Sequence, residues 1–568
     1  MGRIMGRIFA ALLLMAWTSA AQAQFSVVEA SIADMQQAMA SGRVTSRQLV
    51  QQYLTRIALY DRKLHAVMTV NPNVLREAEE RDRERAQGKL RGPLHGIPIA
   101  LKDNIHTTDM PTTGGALAFE GFVPPYEATL VKNLRDAGAI VIAKTGMTEL
   151  ANWIAGPPTP MPSGYNAVSG FGMNPYDPRR DPREATADGR PVLAPGGSSS
   201  GIGTAASFWA ANVGTETSGS LLSPASATML VAVKPTVGRI SRYGIIPLTA
   251  DQDTAGPMTR TVADAAILLG ALESAQVDPQ DPLKPCAPPP DRDYTRLLDR
   301  NALAGTRIGI PRAFFYEPVS QPGAPPGLQL RYGGLFPGEA SAMAEAIAVL
   351  KAEGAVIVDP ANIPSVVDPD PSRNSLHWEV CRGINGQKGN DDQCSVVFKY
   401  GMKRDFNKWL ASLGPTAPVK TLTELRQWNL AHAHAGALKY GQSQLDISDE
   451  MDVEIDRARY EQDRAKDIAL SATHGIDEVM RAERLDAILF PANIGALISA
   501  RAGYPTVIVP FALIPNERST PIPESFGAKP SPFGVSFAGG ACSEPRLLGL
   551  AYAFEQATKR RVPPAEVP

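Results

Sequence analysis

From Ser31 to Arg56 the apolar residues recur at helical spacing, and Ser46 is placed to cap the stretch that begins Gln48-Leu49-Val50. Asn73 to Leu90 reads as a second helix whose Glu/Arg run is a solvated face. Short apolar runs then alternate with helical ones. The expected strands are Pro98–Leu101, Ala139–Ala143, Arg307–Ile310, Val356–Val358, Ala487–Phe490 and Thr506–Val509. Strands interleaved with helices predict an α/β fold whose sheet is covered on both faces. Ile202 to Ala211 is rich in small residues and reads as a closely packed interior helix. Residues 365–480 read as mostly helical and polar, with Trp378, Trp409 and Trp428. Two proline-rich stretches, 282–290 and 318–326, are candidate linkers.

The N-terminus breaks this alternation. Arg3 and Arg7 precede a short apolar run, Ile8 to Trp17, and Ala21-Gln22-Ala23 is a small-x-small cleavage pattern. These features predict a secretory signal peptide over residues 1–23 and an exported mature domain over 24–568, periplasmic or extracellular. The apolar run is too short for a span of ~20 residues, so no stable membrane anchor is expected. Four cysteines, Cys286, Cys381, Cys394 and Cys542, can pair in such a compartment, with Cys381–Cys394 closing a small polar loop; four free thiols are the alternative. The formal net charge of −2 carries no footprint for nucleic acid.

Candidate chemistry sits in three short pieces. Ile97-Pro98-Ile99-Ala100-Leu101 delivers Lys102 at the end of an apolar strand, where burial would lower its pKa and make it a neutral base. The other readings of Lys102 are a side chain snorkelling to water or paired with Asp103. Gly196-Gly197-Ser198-Ser199-Ser200-Gly201 is a serine-glycine loop leading into a helix. It lacks the Gly-Lys-Ser/Thr ending of a nucleotide-binding loop. Thr217-Ser218-Gly219-Ser220 offers a serine and consecutive N–H groups in a turn that Gly219 permits. The first serine loop also satisfies a Gly-x-Ser-x-Gly elbow with Ser199 central, which would need one of the seven histidines and a preceding strand; 188–195 reads as loop. No metal pattern is present: His432 and His434, two apart, face different ways on a helix.

Taken in order, these pieces resemble the amidase signature family, over roughly Ser31 to Pro564. Ala143-Lys144-Thr145-Gly146, Asn174-Pro175-Tyr176 and Asp253-Thr254-Ala255-Gly256-Pro257-Met258 are similar to further family segments, and Gly-Thr-Glu-Thr to the peptide amidase branch. The resemblance implies one α/β/α sandwich with a large mixed central sheet and a divergent helical insertion at about 365–480 that covers the pocket mouth. It implies a cofactor-independent amide hydrolase with Ser220 as nucleophile, Ser198 as the cis-serine that relays the proton and Lys102 as base. The N–H groups of Thr217, Ser218, Gly219 and Ser220 would form the oxyanion hole, and Ser199 would support Lys102. The chain departs from the family in two places: Ser198 and Ser220 are only 22 apart, which leaves Ser199 open as the cis residue, and Leu221-Leu222 replaces Ile-Arg. The implied partner is a small-molecule or peptide amide. An esterase, a Ser199-centred Ser-His-Asp hydrolase and a non-catalytic binding protein of the same fold are the rival readings. The amidotransferase component used in tRNA charging, which shares the motifs, conflicts with the signal peptide.

Overall fold

The computed structural model describes residues 25–197, 201–322, 331–517 and 521–568. The expected signal peptide, Ser198 and Ser199 lie outside the described residues. Eleven strands form one mixed sheet. In chain order they are β1 Val67–Val70, β2 Pro98–Lys102, β3 Ile140–Thr145, β4 Ala211–Glu216, β5 Val231–Lys234, β6 Thr254–Thr259, β7 Arg307–Gly309, β8 Val356–Val358, β9 Ala487–Pro491, β10 Thr506–Ile514 and β11 Ser531–Ala538. Their order across the sheet is β1-β3-β2-β4-β6-β5-β10-β11-β9-β7-β8. β2 runs parallel to β3 and β4, whereas β4 and β6 are antiparallel.

The core lies on both sides of this sheet, as alternating strand residues show. Val507 and Val509 pack into the main core with Leu547, Leu548 and Phe554 of helix Glu544–Thr558. Ile508, between them, joins Leu222 and Ala225 of helix Leu222–Ala227. Successive side chains on a strand point to opposite faces, so both faces are covered.

Several local expectations need correcting. Thr45, not Ser46, caps the helix Ser46–Leu64: its Oγ1 accepts from Gln48 N at 3.1 Å, and Gln48 Oε1 accepts from Thr45 N at 2.9 Å. The first helix is separate, Ile32–Ala40, because the chain turns at Gly42 with φ +70°. The small-residue helix covers only Gly201–Ala205. Ser207, at φ +52°, reverses the chain, and Trp209 folds back onto the helix, donating from Nε1 to Thr204 Oγ1 at 2.7 Å. A Cβ on Gly203 would lie 2.0 Å from that indole, so the small residues serve a close approach and not a longer helix. β4 follows at once. β6, which is not among the expected strands, contains Gly256-Pro257; a Cβ on Gly256 would lie 2.1 Å from Val233 O, and only glycine fits there.

The 365–480 region is mainly helical, with helices Val397–Ser412, Leu422–Ala431 and Arg457–Ile468. Cys381 pairs with Cys394 and Cys286 with Cys542. The second bridge ties the proline-rich stretch 282–290 to the loop before the last helix.

Candidate active site

β2 places Lys102 inside the protein, fully buried. Its Nζ donates to Thr215 O at 3.1 Å and to Thr215 Oγ1 at 2.9 Å, both on β4. Asn104 Nδ2 also donates to Thr215 Oγ1, at 3.0 Å. No carboxylate lies within ion-pair distance of Lys102 among the described residues. Burial lowers its pKa to about 7, and the more distant Asp253 and Glu216 only partly oppose this. The snorkelling reading therefore fails, and so does the pairing with Asp103. Asp103 accepts from Thr113 N at 3.1 Å and interacts with Lys144.

The chain leaves β4 at Glu216 and turns through Thr217, Ser218, Gly219 and Ser220 into helix Leu222–Ala227. Gly219 has φ +115°, which favours glycine. Glu216, buried at the strand end, gathers the turn: its Oε2 accepts from Leu221 N at 2.7 Å and Leu222 N at 3.0 Å, and the Gly219 N–H also acts on the carboxyl. Gln252 Nε2 donates to Thr217 O at 3.0 Å, and Thr217 Oγ1 donates to Asp253 Oδ1 at 2.5 Å. Asp253 is buried, which pushes its pKa up to about 7. The N–H groups of Thr217, Ser218 and Ser220 meet no backbone acceptor among the described residues.

Gly196 and Gly197 close on this turn. Ser163 Oγ donates to Gly196 O at 2.8 Å, and Thr148 Oγ1 donates to Gly197 O. Gly196 has φ +89°, and a Cβ there would sit 2.3 Å from Pro224 Cα. A Cβ on Gly197 would lie 3.5 Å from Ser220 Oγ, so the residue preceding Ser198 lies against Ser220.

Gly197, Thr217, Ser218, Gly219 and Ser220 line one side of a cavity of about 450 Å³. Aromatic residues, among them Trp153, Phe315, Trp378 and Phe398, line much of the rest. Among the described residues, no histidine lines the cavity. Residues 188–195 carry only an isolated bridge, at Pro191, so no strand precedes the serine loop as an elbow requires.

Glu216, Gln252 and Asp253 hold the turn, and the sequence assigns none of them that role. Glu216 and Asp253 stand within family-like motifs, but their contacts run through the fold. Nothing in the sequence around Gln252 signals its part.

The Amidase family model matches residues 48–325. A probable amidase of Arabidopsis thaliana is 32% identical over 550 residues, covering 95% of this chain and 92% of its own length. A putative amidase of Arthroderma benhamiae is 32% identical over 530 residues, covering 92% of this chain and 80% of its own. The native peptide amidase of Stenotrophomonas maltophilia superposes with a TM-score of 0.76 at 35% identity, over 94% of this chain and 98% of that one. Similarity along nearly the whole chain, on a shared α/β scaffold, shows that this chain belongs to the amidase signature family of hydrolases acting on amide C–N bonds.

Proposed function

We propose that the protein is an exported amidase that forms an acyl-enzyme on Ser220, with Lys102 as base and Ser198 as proton relay. The observation that carries this reading is Lys102: fully buried, held by neutral oxygens, with a pKa of about 7, on the strand beside the one that leads into the Ser220 turn. A base is most useful when its pKa lies near the working pH.

Ser220 Oγ attacks the amide carbonyl while its proton passes through Ser198 to the neutral Lys102 amine. The carbonyl oxygen becomes an oxyanion facing the N–H groups of Thr217, Ser218, Gly219 and Ser220, of which that of Gly219 is shared with Glu216. The C–N bond then breaks, and the proton returns from Lys102 through Ser198 to the leaving nitrogen. Water, deprotonated along the same relay, attacks the ester, and Ser220 leaves with that proton. The products are a carboxylic acid and ammonia or an amine. Ser199 helps to hold Lys102. The roles of Ser198 and Ser199 rest on motif position.

Two features support export. One is the N-terminal pattern of basic start, apolar run and cleavage site. The other is that all four cysteines are paired, as suits an oxidising compartment. Rapid mixing with an activated ester, followed by peptide mass mapping, tests the site. An acyl group on Ser220 is expected, and one on Ser199 overturns the assignment in favour of the elbow reading. The mature N-terminus of protein recovered from a secreting host tests export: it should begin near Gln24, and an intact Met1 in a cytoplasmic fraction overturns it.

A further inference from the structure

The helix Ala496–Ala502 presents one face to the cavity. Leu497, Ile498 and Arg501 line it from one helical face, at i, i+1 and i+4, and Ile494 lines it from the turn just before the helix. The start of the helix abuts the serine turn: a Cβ on Gly219 would sit 3.5 Å from Ala496 Cβ and 3.7 Å from Asn493 Nδ2. At 1.5 Å rise per residue, Arg501 lies about 7.5 Å further along the axis from Ala496.

Arg501 is buried, at 3% exposure. Its Nη1 donates to Trp378 O at 2.7 Å, and its Nε lies 3.4 Å from Asp467 Oδ1. Asp467 is itself occupied, accepting from Trp378 Nε1 at 2.9 Å and Ser395 Oγ at 2.8 Å. Arg501 Nη2 has no hydrogen-bond partner among the described residues. Buried guanidinium N–H groups are normally satisfied, so an orphan on a cavity wall points to a ligand acceptor. The cavity also holds the opposite orphan, the buried acceptor Gln444 Oε1. A peptide bond offers the complementary pair, one C=O and one N–H. Charge selects a neutral acceptor: Asp467 compensates Arg501, and the exposed lining residues Glu379 and Arg382 are of opposite sign.

We propose that Arg501 is a specificity-determining residue that binds the carbonyl oxygen of a peptide bond on the acyl side of the scissile amide. It thereby selects peptidyl amides over simple alkyl or aryl amides. The distance from the serine turn corresponds to about two residues upstream, at ~3.8 Å between successive Cα atoms. This inference rests on the Ser220-centred reading of the site.

The test compares an N-acetyl tripeptide amide with an analogue in which the upstream peptide bond is a trans-alkene. Ammonia release is measured for the wild type, Arg501→Met and Arg501→Met/Asp467→Asn. The double variant leaves no unpaired buried charge, so a folded protein is available even where the single variant unfolds. The wild type should lose about 10- to 100-fold in kcat/KM on the alkene, the range for a site left with an unpaired polar group. The double variant should lose a similar factor on the peptide and discriminate less than about threefold between the two substrates. Equal wild-type turnover of both substrates, or an equal loss on both in the double variant, overturns the inference alone. Ammonia release from neither substrate by the wild type overturns the amidase reading with it.

Discussion

Strands β2 and β3 lie side by side, and each carries a fully buried lysine near its end, Lys102 and Lys144. Their surroundings differ. Lys144 Nζ donates to Ile105 O and Thr112 Oγ1, both at 2.6 Å, and Asp103, Asp109 and Glu127 all favour its charge; its pKa settles at about 8. Among the described residues Lys102 Nζ donates to a carbonyl and a hydroxyl of one threonine, Asp253 and Glu216 favour its charge from further off, and its pKa falls to about 7. Burial alone does not distinguish the two lysines, since both are fully buried. Acids act on both, three on Lys144 and two on Lys102, and what separates the two is chiefly the strand that lies next door. Lys102 adjoins β4, which leads to the Ser220 turn, whereas Lys144 adjoins β1, which leads to no serine.

The largest expected effect tests that division directly. Lys102→Met and Ser220→Ala should each lower kcat for amide hydrolysis by about 10⁴ or more while the cooperative unfolding transition persists. Amide turnover surviving in Lys102→Met would erase the distinction between the two lysines. Lys144→Met should act on stability instead, because it leaves Asp103 buried without its counter-charge; a loss of about 3 kcal/mol in urea titration is expected.

A smaller effect follows from proton linkage. Lys102 titrates at about 7 in the folded chain and at ~10.4 when unfolded, so the folded chain binds fewer protons between these values. On its account stability rises with pH across that window. Lys102→Met should therefore be stabilised relative to wild type at pH 6, with the margin shrinking as pH approaches 10, read as Tm against pH. A margin that grows with pH would contradict a depressed lysine. In the wild type, kcat/KM should climb about tenfold per unit below pH 7 and level off above it. The smallest effect is expected from Asp253→Asn. The Asp253 charge raises the pKa of Lys102, so removing it should move the acid limb of that profile to lower pH by less than about one unit. A shift to higher pH would assign Asp253 a different role.

Much of the site is legible in the sequence because its chemistry sits in short pieces. An apolar run ending in Lys102 and a glycine-bearing turn ending in Ser220 need only local reading. β4 and β6 are not legible. Gly214 and the Gly256-Pro257 step are turn-type residues, and at Gly256 the strand leaves no room for a Cβ beside Val233 O. Arg501 escapes a sequence reading for another reason: its place on the cavity wall depends on how helix Ala496–Ala502 packs beside Gly219, hundreds of residues away in sequence.

By itself the sequence determined the order of strand, loop and turn, the residue types able to attack and to accept a proton, and the α/β class, since these depend on neighbours in the chain. The tertiary structure adds which lysines are desolvated, what holds the serine turn and which polar atoms are left open in the cavity. Those properties depend on desolvation and on partners far apart in sequence, as with Lys102 and Thr215, 113 residues apart.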